Sequence, residues 1–252
     1  MASVAGWSAL TAIASKVGSL TASGLASVGA MSRSSPLDAF TPCTNEQGGG
    51  PRELFVVEGI SAANAAKAAR DPKSQAILAV QGKPMNVERA SEREVFENDK
   101  LKSIVRAVGA WSGEAFDLDS VQYDRVLILA DGDPDGVHAS ALLLLAFDFL
   151  MPELISADRL VNVRAPLFAI DADQLEDVVY AYSAPHREAL VAKMREKKIT
   201  GIDHDYLKSI AGLNADELWR VCLNPESRVE QKITRQDVET IRQTLANFGK
   251  NL

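Results

Sequence analysis

The chain has 252 residues, of which 46% are hydrophobic and 24% charged, with a formal net charge of −7. That length supports one substantial core, or one domain with a smaller companion, in a globular protein. The acidic balance excludes a broadly basic binder of nucleic acid or membrane, so a polyanion would have to be met through a local patch or a metal ion.

Residues 1–35 are rich in Ala, Ser and Gly, lack Asp and Glu, and carry only Lys16 and Arg33 as charges. Trp7, Leu10, Ile13, Val17 and Leu20 fall on one helical face, but Gly6, Gly18, Gly24 and Gly29 weaken it. The segment reads as a flexible extension; a Ser-rich, acid-free organelle transit peptide is the alternative, and a secretory signal is not supported. Residues 36–53 read as a lead-in ending in the linker NEQGGGPRE.

From residue 54 onward strand and helix alternate. LFVVEG (54–59) is a short apolar run, followed by a helix over 61–70 for which Ser61 is the expected cap. AILAV (76–80) is a second strand. SEREVFENDKLKSIVRAVG (91–109) opens with a capping box from Ser91 to Glu94 and places Val95, Leu101, Ile104, Val105 and Val108 on a helical spacing. DRVLILAD (124–131) is apolar throughout, as a strand buried on both faces of a parallel sheet is, and a helix is expected over 137–150. The apolar run at 139–151 falls short of the roughly 20 residues a membrane span needs. The pattern predicts an α/β fold with a mostly parallel, Rossmann-like sheet flanked by helices, chemistry at the carboxyl ends of its strands, and a small, mainly helical tail over 202–252.

Those strand ends carry acids. Glu58 closes the first strand, Asp131 closes the later one, and Asp133 and Asp135 follow in its loop, with Gly132 and Gly136 permitting a sharp turn. Two adjacent parallel strands would gather the four carboxylates, and such a cluster repels itself unless a cation neutralises it. Oxygen donors without His or Cys favour a hard ion such as Mg²⁺, for which Mn²⁺ can substitute. Asp, Gly and Pro at this density also suit a plain surface loop; Glu58–Gly59 at the end of a matching strand favours the cation. Two cysteines, Cys43 and Cys222, exclude a Cys-rich zinc site.

VVEGISA, QAILAVQGKPMNVERA and LILADGDPDGVH resemble, in order and spacing, the Toprim domain of the B-type subunits of bacterial type II topoisomerases. LMPELI, APLFAI, YAYS and ELWRVCLNPESR resemble the segments that follow it, and SPLDAFTPC the lead-in before it. The resemblance implies a Toprim domain over 54–201 and a B-type tail over 202–252. It also implies that Glu58, Asp131 and Asp133 act catalytically by holding Mg²⁺, with Asp135 close by, while a tyrosine of a gyrase A-like breakage-reunion subunit attacks double-stranded DNA.

Lys83 corresponds to a family lysine near the DNA, which the resemblance counts with the catalytic residues, or is a plain exposed lysine at a turn. His138 matches a family histidine and serves either the site or the helix it opens. Tyr123, Tyr180, Tyr182 and Tyr206 lack a recognisable nucleophile setting. The sequence shows no phosphate loop of the form GxxxxGK[ST], so ATP is expected to require a separate ATPase subunit. The implied location is cytoplasmic, with the nucleoid.

Ile60 stands where the family carries an acid and Gln81 where it carries Lys, positions through which quinolone drugs are sensed, which implies reduced sensitivity. Three readings follow: a catalytic Toprim subunit; a catalytically degenerate paralogue that binds and regulates the breakage-reunion subunit; and a free-standing Toprim nuclease, which the topoisomerase-like tail disfavours.

Overall fold

A computed structural model describes residues 39–46 and 49–248, so the extension expected over 1–35 lies outside the described residues. The described residues begin with β1 (Phe40–Thr41), β2 (Glu53–Glu58), α1 (Ile60–Ala69), β3 (Gln75–Val80), α2 (Glu92–Glu97) and α3 (Asp99–Val108). They continue through β4 (Arg125–Leu129), α4 (Pro134–Leu150), α5 (Glu153–Ser156), β5 (Leu160–Val163), β6 (Phe168–Asp171), β7 (Val179–Ala181), α6 (Ala184–Glu196) and β8 (Asp203–Tyr206). The last elements are α7 (Ala215–Leu218), β9 (Glu230–Lys232) and α8 (Arg235–Phe248).

Six strands form the main sheet in the order β1-β3-β2-β4-β5-β9. The pairings of β2 with β3, β2 with β4 and β4 with β5 are parallel, while β1 and β9 close the edges antiparallel. The apolar runs follow from this placement, because alternate residues of each central strand enter different layers. Leu54, Val56, Leu78, Val126 and Ile128 face the layer that holds Leu101 and Ile104 of α3, Leu143 and Phe147 of α4 and Val238 of α8. Phe55, Val57, Ile77, Leu127 and Leu129 face the layer of Ala62, Ala63 and Ala66 of α1 and Leu218, Val221 and Leu223 of the tail.

A second, antiparallel sheet in the order β7-β6-β8 carries its own small core of Phe168, Ile170, Ala181 and Met194. Residues 202–252 contribute α7, α8, a 3-10 turn at Ile210–Gly212 and a π turn at Trp219–Leu223, together with β8 and the main-sheet edge strand β9. None of the helices among the described residues is long and apolar enough to cross a membrane.

Local expectations meet the structure unevenly. The Ser91–Glu94 capping box is present at α2. The helix expected over 91–109 is broken in two at Asn98, an extended residue whose side chain accepts from Lys100 N–H and Leu101 N–H and so caps α3; a side chain that satisfies two orphan donors makes the break favourable. Ser61 does not cap α1: the cap position is Gly59, without a side-chain bond, and its φ of 88° puts it in a region glycine alone enters readily. Helix α4 starts at Pro134, not 137, because proline is suited to the first turn and Asp133 caps it by accepting from Gly136 N–H at 2.8 Å.

Candidate functional site

The parallel register of β2 with β4 pairs Val57 with Leu129. Glu58 therefore leaves the sheet beside the segment carrying Asp131, Asp133 and Asp135, at the carboxyl edge where parallel sheets place ligands. The following turn packs tightly: a Cβ on Gly136 would stand 2.2 Å from the Asp131 carbonyl oxygen, so the start of α4 lies directly against the end of β4.

The four acids act on one another. Burial pushes the Glu58 carboxyl above its ordinary value, and the negative charges of Asp131, Asp133 and Asp135 push it further, with Lys100 opposing. Burial likewise raises Asp131, against the hydrogen bonds it receives from Ile210 N–H and Ser209. Asp131 Oδ1 accepts from Ile210 N–H at 2.8 Å, and Asp133 Oδ1 is taken by its helix cap. Among the described residues no three Asp, Glu, His or Cys side chains form a group ready to hold one metal ion as they stand. The carboxylates share an electrostatic field, not a closed coordination shell.

Lys83 is exposed on the turn after β3. Its carbonyl oxygen accepts from Lys100 Nζ at 3.1 Å. Burial lowers the His138 imidazole, and the charge of Lys83 lowers it again while Asp135 opposes, so Lys83, His138 and Asp135 lie within one another's field. The tyrosines offer little: Tyr123 is buried, and Tyr180 is pushed up to about 12 by burial and by the charge of Glu217. Three residues beyond the sequence expectations join the site, Lys100, Ser209 and Ile210. Ile210 acts through its backbone N–H, which leaves no mark in the sequence, while Lys100 and Ser209 reach the acids only through the folded chain.

The raised carboxyls give a pH prediction. A folded-state value above the unfolded one means that the folded protein binds protons more readily, so the stabilisation is complete below the unfolded values near 4 and is lost as pH rises through the folded ones. In metal-free buffer, Glu58→Gln is expected to melt above wild type at pH 7 and together with it near pH 4. Melting curves that run parallel at all pH values would contradict the shared field.

Comparison with known proteins adds descent to geometry. Residues 53–164 match the family described as Toprim domain. The chain is 37% identical over 188 residues to the DNA gyrase B protein of Archaeoglobus fulgidus, covering 75% of this chain and 29% of the relative. It is 36% identical over 187 residues to the DNA gyrase B protein of Thermotoga maritima, covering 74% and 29%. To the DNA topoisomerase 4 B protein of Bacillus subtilis it is 32% identical over 198 residues, covering 78% and 30%. It thus spans under a third of the length of these curated relatives.

Proposed function

Because this chain carries a Toprim domain and is homologous to the Toprim-containing part of the gyrase B and topoisomerase IV B proteins, we propose that it is a Mg²⁺-binding type II topoisomerase subunit that supports DNA cleavage and rejoining by a tyrosine of a partner subunit. One observation carries the reading: adjacent parallel strands deliver Glu58 and the three aspartates to one sheet edge, where burial and, after it, the negative charges of the aspartates raise the proton affinity of Glu58. Such mutual repulsion is what a bound cation relieves.

The donor set fits a hard ion, since all four groups are carboxylates. Glu58, Asp131, Asp133 and Asp135 would hold it, with Mn²⁺ able to replace Mg²⁺. When bound, the ion supplies stabilisation of charge on phosphoryl oxygens and on the leaving 3′ oxygen. The chain's own residues orient the reaction. Asp131 and Asp133 are fixed by backbone N–H groups, and the exposed Lys83 offers a positive charge to the DNA backbone. A gyrase A-like subunit supplies the tyrosine, and strand passage draws on an ATPase unit elsewhere in the assembly.

The test is reconstitution with such a partner, double-stranded DNA and Mg²⁺. Wild type is expected to yield a covalent protein–DNA complex, and Glu58→Gln to lower its rate roughly 10²- to 10³-fold, the loss typical when charge stabilisation at a reacting centre is removed, with partner binding unchanged. Ile60 favours the second reading, a degenerate regulatory paralogue. It is 45% exposed at the first position of α1, an aliphatic beside the acids. Tight partner binding by wild type with no covalent complex in Mg²⁺ or Mn²⁺ would select that reading.

A further inference from the structure

The Asp131 carboxylate is not free at the end of β4. Its Oδ1 accepts from Ile210 N–H at 2.8 Å, from a donor 79 residues along the chain. The Ser209 side chain lies near the same carboxylate and lowers its proton affinity. Both residues belong to the 3-10 turn of the tail, which Ser209 caps by accepting from Ala211 N–H at 3.2 Å. The turn is held apart from this bond as well: Ile210 is 2% exposed in the apolar layer shared by α1, Leu213 and Leu218. A rigid backbone donor therefore fixes the direction of the carboxylate.

We propose that Ser209 and Ile210 are positioning residues that hold the Asp131 carboxylate for cation binding, which makes the tail turn a part of the acid site. The inference rests on the reading of the four acids as a cation site. The N–H engages one carboxylate oxygen from a buried, rigid backbone and so restricts rotation of the group that would bind the cation. Groups that orient a metal ligand in this way are worth about 10- to 100-fold in metal affinity.

The backbone donor can be removed by proline. Ile210 opens its turn, a position where a fixed φ and a missing N–H are tolerated. Ser209, at φ −154° and ψ 144°, has the extended conformation required before proline. Ile210→Ala is the control, because it keeps the N–H while giving up similar packing.

The full chain is titrated with Mn²⁺ alone, free ion being followed by electron paramagnetic resonance, and the Asp131 carboxyl carbon is observed by NMR without metal. Ile210→Ala is expected to bind within about twofold of wild type, and Ile210→Pro about 10- to 100-fold more weakly, with the Asp131 resonance displaced in the proline variant only. Ser209→Ala is expected to weaken binding and Ser209→Thr to restore it. Equal affinities for Ile210→Pro and Ile210→Ala, in proteins that bind Mn²⁺, overturn the inference and leave the cation site standing. Absence of Mn²⁺ binding by wild type removes the cation site itself and the inference with it. If Ile210→Pro does not fold, the Ser209 pair decides, and Ser209→Ala binding as wild type does overturns the proposal.

Discussion

Arg228→Ala is expected to destabilise the protein by about 3 to 5 kcal/mol, the cost of leaving a buried charge without its partner, and to lower the melting temperature by roughly 6 to 20 °C at this chain length. The Arg228 side chain is fully buried. Its Nη1 donates to Glu53 Oε2 at 2.8 Å, its Nη2 pairs with Glu53 Oε1, and its Nε donates to Glu230 Oε1 at 2.7 Å. Gln75 Nε2 donates to Glu53 Oε2 at 3.1 Å and to the Leu223 carbonyl at 2.8 Å, while Arg125 Nη1 donates to Glu230 at 2.9 Å.

The network therefore ties the tail to the starts of β2, β3 and β4. Removing the guanidinium leaves Glu53, itself 7% exposed, without its two closest cationic contacts and with only Arg125 at 3.7 Å and the Gln75 amide at 3.1 Å to answer its charge. A paired change, Arg228→Met with Glu53→Gln, is expected to recover much of the loss, because apolar or neutral replacement of a buried pair is often close to neutral. Chemical denaturation of wild type and the two variants checks both statements. A loss below about 1 kcal/mol for Arg228→Ala would place the pair in the weak class of surface bridges. Glu53 opens the strand that Glu58 closes, about 17 Å away at the usual rise per residue, so Mn²⁺ affinity of the folded variant is expected to stay at the wild-type level.

Gly136→Ala is the second large effect. In an ordinary helix the exchange favours folding by about 1 kcal/mol. Here the new methyl would lie 2.2, 2.7 and 2.8 Å from the carbonyl oxygen, carbonyl carbon and nitrogen of Asp131, all of them backbone atoms of the strand end. Neither side can yield as a flexible side chain would, so the first turn of α4 must move. That movement breaks the bond from Gly136 N–H to Asp133 Oδ1 and shifts Asp133 and Asp135 relative to Asp131.

Overpacking of this kind costs about 1 to 3 kcal/mol and at times more. A rise in melting temperature on adding Mg²⁺, expected of wild type if the acids hold the ion, since a ligand of the folded state alone stabilises it, should be lost. Gly212→Ala, where the added methyl meets open space, serves as the control and is expected to change stability by less than about 0.5 kcal/mol. Retention of the Mg²⁺ response in Gly136→Ala would mean that the acids tolerate displacement of the turn.

The two effects fall at opposite ends of the same parallel strands. One end is closed by charges that are paired and buried; the other gathers like charges whose repulsion Lys100 and the backbone N–H groups relieve only in part. Stability and chemistry are thereby separated, and Glu58→Gln is expected to show it directly, melting higher at neutral pH while losing cleavage. Residues at functional sites commonly trade stability for activity in this way.

The sequence by itself determined the three central strands β2, β3 and β4, their order of appearance and the acids after β2 and β4. Apolar runs bounded by Gly59 and by the Asp131 turn specify strands buried on two faces, and alternation with helices specifies parallel pairing, because both signals are local and repeat along the chain. The Ser91–Glu94 capping box is legible for the same reason. Only the tertiary structure decided what meets the acids from afar. That β2 and β4 are neighbours, that β9 returns to close the sheet edge, that Arg228 reaches Glu53 and that Ile210 N–H seats on Asp131 all depend on contacts across many residues. A backbone N–H is carried by nearly every residue and leaves no mark in the sequence, so its role appears only once the chain has folded around it.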